Sequence, residues 1–90
     1  MGKEKEPQAV EAGRLLSQNL IRFRRRAGLS QQGTAERAGL HRTEVSLIER
    51  GQRLPRLDTI VKLGGALEVE PCVLLMGMAW KLDPPKAGSR

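Results

Sequence analysis

Between Pro7 and Gly28 the apolar residues Leu16, Leu20, Phe23 and Ala27 recur at spacings of four, three and four. That is one stripe of an amphipathic helix, expected from about Gln8 to Ala27, with Pro7 at its first position and Gly28 at its end. Arg22, Arg25 and Arg26 fall off the stripe and should face solvent or a ligand. Ser30 is a good N-cap for a short second helix, Gln31 to Ala38, closed by Gly39. A third helix is expected from His41-Arg42 to Gly51, with Val45 and Ile48 inward and Glu44 in its first turn. A fourth runs from Arg56 or Leu57 to Leu67, with Leu57, Ile60, Val61, Gly64 and Leu67 on one side. Pro71 opens a fifth that ends near Gly77, and residues 82–90 read as a loose tail. Nothing alternates with the strand period for long, and no internal repeat is visible. The expectation is an all-α chain of five short helices.

Composition narrows what such a chain can do. Ninety residues make one domain and bury roughly 60–65% of their unfolded surface, so the core is small. The two aromatics, Phe23 and Trp80, are too few for a fold that binds single strands by stacking bases. No apolar run reaches the ~18 residues of a spanning helix, and the first six residues lack a signal-peptide core. A cytoplasmic protein without membrane contact is expected. Cys72 and His41 each stand alone, which leaves no intrachain disulfide, no thiolate zinc site and no supported nucleophile–base pair. Gly28 to Thr34 superficially suggests a phosphate loop. It lacks the lysine before its Ser/Thr and follows a helix rather than a strand. Neither an enzyme nor a cofactor is expected.

The net charge of +6 is unevenly placed. Residues 1–13 carry −1 and residues 57–90 are neutral, whereas residues 14–56 hold ten arginines against three glutamates, net +7. Arginine's planar fork suits phosphate and guanine. By itself this is either a solvated basic face or a nucleic-acid footprint.

Residues 31–51, QQGTAERAGLHRTEVSLIERG, decide between them. Two short helices meet through Ala38-Gly39-Leu40. Ala35 is small enough to let them approach, Gly39 supplies the turn, and Leu40, Val45 and Ile48 pin the second helix. Its outer residues Arg42, Thr43, Glu44 and Leu47 are then free to enter a major groove ~12 Å wide.

The chain resembles the lambda-repressor-like (XRE) helix-turn-helix family over roughly residues 14–76. The resemblance rests on Asn19-Leu20, Arg24, Gly28-Leu29-Ser30-Gln31, Ala35-Glu36-Arg37-Ala38-Gly39, Val45-Ser46, Ile48-Glu49-Arg50-Gly51, Pro55 and Leu57-Asp58-Thr59-Ile60. It implies a compact five-helix DNA-binding domain, usually dimeric, that reads a short palindromic operator. By the resemblance, Arg42 and Thr43 reach base edges with Glu44 and Leu47 beside them. Arg42 can grip guanine, while Glu44 either accepts from cytosine or caps its helix. Gln31 would contact a phosphate, as would Arg50, Arg53 and Arg56 around the following loop; His41, at a position it does not favour as a cap, is a further phosphate candidate. Arg24 and Glu49 resemble the family's structural ion pair.

The chain departs from the family pattern at Gly33 and Thr34, which replace an acidic and a bulky apolar residue, and at Gly64-Gly65. Helix 2 should be weakened, and neighbouring chain, such as the N-terminal extension or residues 76–82, should fill the space. Residues 73–80 are more apolar than a fifth helix needs: with Leu74 and Leu75 in the core, Met76, Met78 and Trp80 are candidates for a dimer contact. The expected layout is an N-terminal extension (1–13), the DNA-binding domain (14–77) and a C-terminal tail (78–90). The leading function is a sequence-specific regulator that binds double-stranded DNA as a homodimer. The alternative is an antitoxin- or adaptor-like module whose main partner is another protein.

Overall fold

The computed structural model describes residues 6–82, which form four α-helices and one 3-10 helix; no strand is present among them. Helix α1 spans Pro7–Arg26, α2 Gln31–Ala38, α3 Arg42–Glu49 and α4 Leu57–Leu67, and the 3-10 helix spans Pro71–Leu75. Local chemistry sets most of these limits. The Glu6 carboxylate accepts from the Gln8 and Ala9 amides to open α1. The Ser30 hydroxyl accepts from the Gly33 amide at 2.9 Å to open α2. Gly39, at φ +71°, takes the left-handed conformation that ends α2 and turns the chain into α3. The expected 13/14 boundary therefore falls inside one continuous helix, and the tail beyond Leu82 lies outside the described residues.

The core is contributed by every element. Leu16 and Leu20 of α1 meet Ala35 and Ala38 of α2, Val45 and Ile48 of α3, Ile60, Leu63, Ala66 and Leu67 of α4, and Leu74. Buried Asn19 ties the C-terminal segment to α1, its side-chain amide donating to the Leu74 and Met76 carbonyls, both at 3.0 Å.

Four expectations change. The fifth helix is a 3-10 helix, with bonds from the Val73 amide to the Glu70 carbonyl and from Met76 to Val73. Asn19 occupies the Leu74 and Met76 carbonyls, so those acceptors need no further helical turn. The buried stripe of α4 is centred on Leu63, flanked by Thr59, Ile60, Ala66 and Leu67, while Leu57 and Val61 are exposed. Leu75 is exposed as well, because the tighter 3-10 turn rotates it out while Leu74 stays buried. Ala27 is the exposed cap of α1 rather than part of its stripe.

Gly64 is a packing requirement. A Cβ there would stand 3.0 Å from the Val69 carbonyl oxygen and 3.2 Å from Pro71 Cα. The segment leading into the 3-10 helix thus presses directly on the backbone of α4, and it is this segment that occupies the space. Thr34 is fully buried, and its hydroxyl has no hydrogen-bond partner.

Candidate nucleic-acid interface

Helix α3 is anchored along one side and open at its start. Val45 and Ile48 are fully buried. His41, Arg42 and Thr43 are exposed, with Glu44 and Leu47 half-buried beside them. His41 is the N-cap but makes no side-chain cap bond, so its imidazole is not committed to its own helix. The first turn of a rigidly seated helix thus presents a guanidinium, a hydroxyl and an imidazole together.

The far end of α3 is held by a polar network centred on Glu49. Arg24 Nε donates to Glu49 Oε2 at 2.5 Å and Arg24 Nη2 to Oε1 at 3.0 Å, with side-chain exposures of 13% and 4% for Arg24 and Glu49. Gln31 Nε2 donates to the same Oε1 at 2.9 Å. Arg24 Nη1 donates to the Leu29 carbonyl at 2.9 Å, and the Ser17 hydroxyl donates to the Glu49 carbonyl. One carboxylate therefore locks α1, the start of α2 and the end of α3 together. A guanidinium has five N–H donors. Three are committed here, which leaves Arg24 two further N–H donors on a guanidinium held in place.

The Gln31 amide, expected at a phosphate, donates inward to Glu49 and keeps one further side-chain N–H. Ser17 was not singled out from the sequence. The available signal was its spacing, since Ser17 and Arg24 are seven residues apart and share a face of α1. Arg50, Arg53 and Arg56 are exposed around the α3–α4 loop. Arg56 lies 3.4 Å from Asp58, a solvent-exposed pair worth at most ~1 kcal/mol and easily exchanged for a phosphate.

The three apolar residues expected at a dimer contact are not equivalent. Met76 is 44% and Trp80 63% exposed, whereas Met78 packs against the core of its own domain. Their segment is clipped to the first turn of α1, with the Lys81 amide donating to Gln8 Oε1 at 2.6 Å and Gln8 Nε2 to the Lys81 carbonyl at 2.9 Å. Among the described residues no helix is long and apolar enough to cross a membrane.

The helix-turn-helix model HTH_3 matches residues 20–74. Control protein C.SmaI of Serratia marcescens is 38% identical over 61 residues, which cover 68% of this chain and 73% of that protein. The uncharacterised HTH-type transcriptional regulator y4dJ of Sinorhizobium fredii is also 38% identical, over 67% of this chain and 78% of its own. Among solved structures, the restriction-modification controller protein C.AhdI from Aeromonas hydrophila superposes with a TM-score of 0.67. It is 42% identical over 69% of this chain and 94% of that one.

Proposed function

The chain belongs to the HTH_3 helix-turn-helix family of transcriptional regulators, and from that premise we propose that it is a sequence-specific regulator that binds a palindromic operator as a homodimer. The observation that carries the reading is the exposed first turn of α3 on a fully buried Val45–Ile48 anchor. Arg42 and Thr43 then read base edges in the major groove, with Glu44 and Leu47 alongside. His41, Arg50, Arg53 and Arg56 bind phosphates, and Gln31 contributes its remaining N–H. Arg24 contacts the duplex in the orientation that Glu49 and Leu29 set.

Regulation consists of occluding or recruiting polymerase in the cytoplasm, without catalysis. The kinship to control proteins makes a restriction–modification operon one setting for such a regulator. The two-fold contact uses exposed Met76 and Trp80 in the segment that follows the 3-10 helix, with Met78 packed against the core of its own domain. A Trp80→Ala protein is then expected to sediment as a monomer.

Selection of bound duplexes from a random pool at ~150 mM salt tests this reading. It should return two inverted half-sites about one helical turn apart. Recovery of no preferred sequence would refute a specific regulator, and a single unpaired half-site would refute the dimer.

A further inference from the structure

The outward face of α1 carries a basic patch that the DNA-binding reading leaves unused. Gln18, Arg22, Arg25 and Arg26 are exposed, Ile21 is half-buried, and together they line a shallow open concavity. Among the described residues Arg22, Arg25 and Arg26 form no ion pair, whereas Arg14, Arg24, Arg37 and Arg56 each have one. Arg14, next along this face, is satisfied by Glu11, whose carboxyl it holds below the usual range by hydrogen bonding. The Arg26 guanidinium lies over Phe23 at 5.4 Å, which holds it along the helix flank.

The direction of the patch sets it apart from the duplex. At roughly 100° per residue, Arg22 and Arg26 each stand about 160° around α1 from Arg24, which faces the end of α3, with Arg25 about 100° and Ile21 about 60° from it. Arg22 and Arg26 therefore face away from a duplex gripped by α3, with Arg25 and Ile21 at the flank between. Complementing the helix dipole accounts for Arg25 and Arg26 in the last turn. It does not account for Arg22 one turn earlier, or for the apolar Ile21 set among the arginines.

We propose that this face of α1 docks an acidic segment of a partner protein, with carboxylates on Arg22, Arg25 and Arg26 and one apolar side chain over Ile21. The guanidiniums are unpaired, span about 12 Å with Gln18, and suit bidentate carboxylate binding. A phosphate backbone would answer the charge but leave Ile21 uncovered. The contact would give a DNA-bound regulator a handle for another protein, yet the docking chemistry does not depend on operator recognition.

The probe is a fluorescent peptide carrying four glutamates around one leucine, titrated with the full chain and followed by anisotropy, with binding to duplex DNA measured in parallel. The Arg22→Gln/Arg25→Gln protein should lose at least tenfold in peptide affinity, and Ile21→Ser about threefold. Both should keep their helical circular dichroism and stay within threefold of wild type on DNA. Arg50→Gln/Arg53→Gln should bind the peptide like the wild type. Equal losses in that second pair would mean diffuse charge attraction and would overturn the proposal. So would a tenfold loss of DNA affinity in the first pair, which would make the patch a backbone contact. A change in sedimentation of the Arg22→Gln/Arg25→Gln protein alone would assign the face to a second copy, with the same consequence. Failure to find an operator would leave these peptide results as they stand.

Discussion

Replacing Glu49 by alanine should be among the most damaging polar substitutions in this domain. Its carboxylate is 4% exposed and receives two bonds from Arg24 and one from Gln31. Removing one member of a buried pair costs roughly 3–5 kcal/mol, chiefly because the other charge stays behind without a partner. Arg24 keeps its bond to the Leu29 carbonyl and is 13% exposed, which allows partial rehydration, so about 3 kcal/mol is expected for Glu49→Ala. For a domain of this size that lowers Tm by roughly 12–24 °C. Arg24→Ala should cost about the same, and the double substitution should cost clearly less than the two singles added. Urea unfolding followed by circular dichroism, at one protein concentration for all four proteins, gives the coupling energy. A coupling of about 1.5–3 kcal/mol that persists in ~1 M salt fits a shielded network. A coupling under ~0.5 kcal/mol, or one erased by salt, would show that the pair behaves as an exposed one and that Glu49 does not hold the three helices together.

Thr34→Val keeps the shape of a fully buried side chain and removes a hydroxyl without a partner, so the variant should be more stable by about 1 kcal/mol in a thermal melt. A lower Tm would mean that the hydroxyl is satisfied in solution. Adjacent glycines in α4 should respond oppositely to alanine. Gly64→Ala forces a methyl against the Val69 and Pro71 backbone and should be destabilising, whereas Gly65→Ala meets nothing within 4 Å and should gain about 0.5–1 kcal/mol. On DNA, Arg42→Ala should relax preference at one base pair by roughly 1–3 kcal/mol. Arg53→Ala should weaken binding to all duplexes and reduce the salt slope by about 1, as read by titration across salt concentrations.

The sequence by itself determined the all-α class, the limits of α1 to α3 and the exposed turn of α3. Each follows from near neighbours: a period of 3.6, Ser30 and Gly39 at helix ends, and Val45 and Ile48 spaced to share a face. Tertiary structure decided the rest, because it depends on residues far apart in the chain. The inward face of α4, expected along Leu57, Ile60, Val61, Gly64 and Leu67, is set by the other helices on a stripe centred on Leu63. Gly64 reads as a weak point in an isolated helix and becomes a requirement only when Val69 and Pro71 press against it. The segment after Pro71 is tied down by Asn19, more than fifty residues earlier, which takes the Leu74 and Met76 carbonyls. Glu49 shows the same division. Its pairing with Arg24 is legible as a family resemblance, but the convergence of Gln31 and Ser17 on the same residue exists only once three helices are packed together. Helix limits are set by chemistry a few residues away, whereas the side chains that share a buried acceptor are set by the whole fold.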